Sequence, residues 1–207
     1  DRSYFEVKNA ISKWHNIDPS MILPGNGASE LFTWAARDAS LNGVSSLPSP
    51  CFGDYQRALE CWNAPYIYSP LPLSWIGRKP QPFPLEPKTN VLWITNPHNP
   101  TGQLWSRSSI KSLLDNYKLV ICDEAFIPLT PGGENQSIID LTKHYPNLIV
   151  IRSLTKFLGI AGLRIGYAIT NSDRLLNWEK IRDPWPVNTL AINATNMIMK
   201  DSKMHKK

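Results

Sequence analysis

Cysteine is scarce in this chain. Cys51, Cys61 and Cys122 make an odd count with no CxxC pair, so a disulfide framework is not expected. A reducing cytoplasm is the compartment this points to. No apolar run approaches the length that crosses a membrane. The first twenty residues scatter Asp1, Arg2, Glu6, Lys8 and Lys13 along their length and do not resemble a signal peptide. A G-x-x-x-x-G-K-[ST] loop is missing, which excludes Walker-type nucleotide and magnesium chemistry. There is no internal repeat, no linker between two complete domains, and no helix-turn-helix pattern before Gly25.

What the chain does have is material for a core. Of its 207 residues, 42% are hydrophobic and eight are tryptophan, enough for a substantial packed interior. The net charge of +5 lies partly in the tail Lys200-Asp201-Ser202-Lys203-Met204-His205-Lys206-Lys207. That tail reads as a solvated terminus rather than a nucleic-acid surface. The positive balance also suits an anionic substrate.

Amphipathic helical stretches alternate with short apolar runs, the pattern of a layered α/β fold. Helices are expected over Ser29–Ala39, Asp54–Trp62, Ser106–Tyr117, Asn171–Arg182 and Val187–Met199. Strands are expected at Val91–Thr95, Leu119–Cys122, Leu148–Arg152 and Ile165–Ile169, with weaker candidates at Gly43–Leu47 and Pro65–Tyr68. Their continuous apolar character is that of strands buried on both faces. Seven prolines between Pro65 and Pro87 exclude a long helix or a central strand there, leaving a loop with a short edge strand.

Four segments carry chemistry. Gly25-Asn26-Gly27-Ala28-Ser29-Glu30 opens the first helix; glycines let a ligand approach the backbone, and free amides at a helix start attract phosphate. The same residues also suit an ordinary turn and cap. Asn96-Pro97-His98-Asn99-Pro100-Thr101-Gly102 follows the Val91–Thr95 run, an irregular turn at the strand end where open α/β sheets bind ligands. The sequence leaves open whether its X-Pro bonds are cis. His98 is expected to be a solvent-exposed turn residue rather than an acid or base. Asp123-Glu124-Ala125-Phe126 closes another strand, and no metal site is assigned to it. Last, Ser153-Leu154-Thr155-Lys156 follows a third apolar run, with Arg164 eight residues on. A lysine among hydroxyls near a guanidinium suits a Schiff base with a phosphorylated aldehyde.

In this order the motifs resemble the class I/II aminotransferases, fold-type I enzymes that use pyridoxal 5′-phosphate (PLP). The likeness runs from about Phe5 to the C-terminus and is strongest to the branch of histidinol-phosphate aminotransferase and threonine-phosphate decarboxylase. It implies a PLP-dependent transferase large domain: a three-layer α/β/α fold on a mostly parallel mixed sheet. By the same resemblance Lys156 forms the Schiff base and moves the substrate's α-proton, and Asp123 pairs with the pyridine nitrogen. Asn99 bonds the ring's 3′ oxygen, and Phe52 stacks on the ring. The phosphate is expected among the amides of Ala28 and Ser29, the hydroxyls of Ser153 and Thr155, and Arg164.

Two departures qualify the likeness. Phe126 stands where most relatives have tyrosine, and the decarboxylase branch often carries phenylalanine there. The relatives are also longer, with an N-terminal arm and a C-terminal small domain that supplies the arginine for the substrate carboxylate. The expectation is therefore a partial large domain over residues 1–207, acting as a homodimer on an amino acid and a 2-oxo acid without nucleic acid or membrane. Threonine-phosphate decarboxylation is the alternative on the same site. A non-catalytic, aminotransferase-like ligand-binding domain of a regulator is the second.

Overall fold

The computed structural model describes residues 4–72 and 79–200, apart from the side chains of Phe157 and Lys200. Among the described residues, seven strands form one sheet: β1 (Ile22–Asn26), β2 (Ser45–Ser49), β3 (Tyr66–Pro70), β4 (Val91–Thr95), β5 (Leu119–Asp123), β6 (Leu148–Ser153) and β7 (Ile165–Ile169). Their spatial order is β1-β7-β6-β5-β4-β2-β3. Pairing is parallel from β3 across to β6, whereas β7 runs antiparallel to both β6 and β1. One reversed strand in an otherwise parallel sheet gives the mostly parallel mixed sheet expected.

Because successive strand residues face opposite sides, the sheet feeds two cores. Val91, Trp93, Leu119, Ile121, Ile149 and Ile151 pack with α2 (Gly27–Asn42), α3 (Asp54–Glu60) and α6 (Ser172–Ile181). Leu92, Ile94, Val120, Cys122, Leu148 and Val150 pack on the other side with α1 (Phe5–His15), α4 (Arg107–Leu114) and α7 (Thr189–Lys200). Helices therefore cover both faces, which is why β4, β5 and β6 are buried along their whole length.

Helix ends follow the local chemistry. Ser106 caps α4 by accepting the Ser109 amide, and Asn171 caps α6 by accepting the Asp173 amide. Helix α2 starts at Gly27, two residues before the expected Ser29, because Glu30 reaches back to accept the Asn26 amide at 2.6 Å and so fixes the first turn. Strand β3 is one of the two edge strands, in keeping with its proline-rich surroundings. Part of that proline-rich stretch, residues 73–78, lies outside the described residues, as does the basic tail beyond Lys200. Among the described residues, no helix is long and apolar enough to cross a membrane.

Candidate active site

The topology gathers the singled-out residues at one edge of the sheet. Parallel strands β2, β4, β5 and β6 end there, at Ser49, Thr95, Asp123 and Ser153. Strand β7 runs the other way, so its start, next to Arg164, lies at the same edge; the end of β1 joins it through the Asn26–Ile165 pair. Phe52, Asn99, Asp123, Ser153, Thr155, Lys156, Arg164, Ala28 and Ser29 thus all follow or cap strand ends on this side, the side on which such sheets take ligands.

One flank of this edge gathers helix-start amides, two hydroxyls and a guanidinium, groups suited to an anion. The first amides of α2 have no acceptor within the helix, and those of Ala28 and Ser29 lie in this turn. Gly27 has φ +75°, and a β-carbon placed on it would lie 2.5 Å from Arg164 Nη2. The missing side chain is what lets the guanidinium reach the turn. Arg164 itself is left-handed, at φ 52°, with Nη1 donating to the Ala161 carbonyl at 3.2 Å. At the end of β6, Ser153 Oγ and Thr155 Oγ1 are hydrogen-bonded at 2.8 Å. Lys156 sits in the single-turn helix α5 (Leu154–Phe157), exposed on the same edge.

Asp123 is fully embedded. Tyr55 donates its hydroxyl to Asp123 Oδ2 at 2.6 Å, and the Ala125 amide donates to Oδ1 at 2.9 Å. The Tyr55 hydroxyl also meets Thr95 Oγ1 at 2.7 Å. Burial raises the Asp123 carboxyl to about 6, against the opposing pull of the Tyr55 and Ala125 hydrogen bonds. Among the described residues Asp123 has no ion-pair partner. A buried carboxylate held by neutral donors but unpaired suits an incoming cationic group, because burial without such a partner is costly.

The Asn96–Thr101 turn is braced from within. Asn96 accepts the Trp105 amide at 2.8 Å and donates to its carbonyl at 3.2 Å, while its own amide donates to the Asp123 carbonyl at 2.8 Å. The Asn96–Pro97 and Asn99–Pro100 bonds are cis, as is Ser49–Pro50. Asn99 is half-buried beside them. His98 departs from expectation: it is 3% exposed. The turn folds inward because the His98 amide and carbonyl bond Gln103 and Gly102, and Nδ1 meets Thr101 Oγ1 at 2.7 Å. Burial lowers its pKa. Phe52 remains 41% exposed, its ring nearly perpendicular to that of Tyr55.

Residue-by-residue reading missed the supports. Glu124 is fully buried and accepts from Ser137 Oγ, the Ile138 amide and Arg152 Nε. Arg152 then clasps Glu134 through both terminal nitrogens, at 3.0 and 2.7 Å. Burial opposes the Arg152 charge, but Glu124 and Glu134 outweigh it and push its pKa up. His15 donates to or accepts from the Tyr167 hydroxyl at 2.7 Å; burial, then Arg152, drives it well below its ordinary pKa. Glu124 adjoins Asp123 and Arg152 adjoins Ser153, so this network ties the ends of β5 and β6. The adjacency is visible in sequence; the pairing is not.

With this geometry established, the chain can be classed. It belongs to the aminotransferase class I and II family, whose pattern residues 2–207 match. Among curated relatives it is 34% identical over 213 residues to histidinol-phosphate aminotransferase 2 of Haemophilus influenzae, covering 100% of this chain and 58% of the relative. It is 32% identical to a putative threonine-phosphate decarboxylase of Caldanaerobacter subterraneus, covering 97% and 56%. The chain therefore spans little more than half the length of these relatives. Its fold superposes on histidinol-phosphate aminotransferase from Clostridium acetobutylicum with a TM-score of 0.84 at 25% identity, covering 100% of this chain and 62% of that one. The Sinorhizobium meliloti enzyme, solved with PLP, superposes at 0.83 with 19% identity, covering 100% and 57%.

Proposed function

We propose that this chain is the cofactor-binding large domain, over residues 1–207, of a PLP-dependent aminotransferase. Its reaction moves an amino group between an amino acid, including phosphorylated ones of the histidinol-phosphate kind, and a 2-oxo acid. The observation that carries this reading is the buried, unpaired Asp123 carboxylate on the same sheet edge as Lys156 and the Gly27–Arg164 anion cradle. PLP has the matching parts: a ring nitrogen that can be cationic, an aldehyde and a phosphate.

The tasks divide among the groups on this chain. Ala28 and Ser29 amides, Ser153, Thr155 and Arg164 hold the phosphate, the guanidinium adding charge-assisted hydrogen bonds. Asp123 holds the ring nitrogen, Asn99 the 3′ oxygen, and Phe52 covers a ring face. Lys156 Nζ would hold the cofactor and, once the substrate's amine has displaced it, would take the proton from the substrate's α-carbon. When bound, PLP supplies the electron sink that makes that proton removable. Exposure of Lys156 and Phe52 leaves the reacting edge open to substrate, and the homodimer is proposed from the family resemblance alone. The free Cys51, Cys61 and Cys122 support a cytoplasmic setting.

Phe126 supports the second reading, threonine-phosphate decarboxylation. It puts a ring without a hydroxyl immediately after the Asp123–Ala125 turn, as the decarboxylase branch often does. Which bond of a bound substrate breaks is a matter of its positioning. Titration of the purified chain with PLP, followed by visible absorption beside Lys156→Ala, tests the site. A band formed by the parent chain and lost in the variant is expected; the same spectrum from both would overturn the assignment.

A further inference from the structure

The Asp123 carboxylate is held by a chain of hydroxyls that the function above does not use. Thr95 and Asp123 are register partners on β4 and β5, so their side chains emerge side by side on one face. Helix α3 lays Tyr55 across both: 2.7 Å to Thr95 Oγ1 and 2.6 Å to Asp123 Oδ2. Tyr55 has one proton and donates it to Asp123, so the Thr95 hydroxyl must be the donor to Tyr55. The result is a directed relay, Thr95 to Tyr55 to Asp123.

We propose that Tyr55, oriented by Thr95, is the positioning residue through which the fold keeps Asp123 an anion for the ring nitrogen of PLP. This rests on the cofactor reading above and extends it to two residues outside the expected contact set. Three features support it. First, the Tyr55 ring is fixed by its neighbours: Phe32 edge-on at 5.1 Å, Trp93 at 5.3 Å and Phe52 at 5.6 Å between centroids. Its hydroxyl is therefore placed by packing.

Second, strand alternation puts Arg152 on the opposite face of the sheet, with Val150, so the nearby guanidinium does not cap Asp123. Glu124, the next residue, adds a like charge. Donation by Tyr55 first, then by the Ala125 amide, offsets burial, and the Arg152 charge adds a smaller pull in the same direction. Third, Tyr55 is itself kept protonated, by burial first and by the Asp123 charge next, so it acts as donor throughout. A carboxylate has about four acceptor positions. Two protein donors leave capacity for a ring N–H.

The test loads PLP carrying ¹⁵N at the ring position onto the parent chain, Tyr55→Phe and Thr95→Val, and reads the ring-nitrogen NMR shift. The parent is expected at the protonated-pyridine position. Tyr55→Phe should move toward neutral pyridine and bind PLP roughly tenfold or more weakly, with Thr95→Val moving the same way by less. A carbocyclic PLP analogue lacking the ring nitrogen should bind all three alike, which a merely structural role for Tyr55 would not produce. An unchanged shift and affinity in both variants overturns the proposal while leaving the cofactor reading intact. Should Tyr55→Phe fail to fold, Thr95→Val decides alone by the same signal. A parent chain that takes up no PLP would overturn both.

Discussion

Gly27 and Arg164 compete for the same space: a β-carbon on Gly27 would fall 2.5 Å from the Arg164 guanidinium. The two residues lie far apart in sequence, and β1 and β7 bring them together through their antiparallel pairing. The proposed anion cradle therefore depends on glycine for two reasons, the close approach and its φ of +75°.

Gly27→Ala should lose both. The left-handed backbone alone costs about 1–2 kcal/mol, and displacing Arg164 should weaken PLP binding by roughly tenfold or more. Thermal melts and PLP titration separate the two effects. Unchanged affinity would mean that Arg164 is not part of the cradle.

Asp123 gives a prediction with a definite sign. Its folded pKa of about 6 lies above the ordinary value of 3.8, so the folded chain binds this proton more tightly than the unfolded one. Stability from this group is complete below the unfolded value and is lost as pH rises through about 6. Without cofactor, Asp123→Asn should gain stability over the parent between pH 4 and 7, with the difference levelling off above. Urea denaturation at several pH values measures it. A pH-independent difference would contradict the assignment.

The buried ion network predicts an asymmetry. Arg152 and Glu124 side chains are 2% and 0% exposed, whereas Glu134 is 32% exposed. Arg152→Leu strands the buried Glu124 charge and should cost about 3–5 kcal/mol. Glu134→Gln leaves the Arg152–Glu124 pair intact and should cost about 1 kcal/mol or less. Equal losses in denaturant melts would show that the inner pair is not the one that matters.

Sequence reading reached the parts of the fold whose signal is local. Strands β4 to β7 stand out because each is a short apolar run, and α2 and α4 because their apolar residues repeat at helical spacing. Strand β1 did not stand out: Ile22-Leu23-Pro24-Gly25-Asn26 contains a proline and a glycine in five residues, and only its pairing with β7 makes it a strand. Helix α1 buries just Val7 and Ile11, too narrow a stripe to delimit it. The motif residues of the candidate site were legible because each sits next to a strand end. Their partners were not. Tyr55 looks like any core-facing helix residue, and Thr95 like the last residue of a strand. Their meeting at Asp123 depends on the register of β4 against β5 and on where α3 lands. His98 failed for the reverse reason, since a polar residue in a proline-rich turn reads as exposed until the turn is seen to fold inward.

Borohydride fixation of the PLP-loaded chain, followed by peptide mapping by mass spectrometry, tests the proposed attachment of the cofactor to Lys156. One dominant cofactor adduct is expected, on the peptide carrying Lys156, at stoichiometric yield. Adduct spread over surface lysines, or concentrated on a lysine other than Lys156, would contradict it.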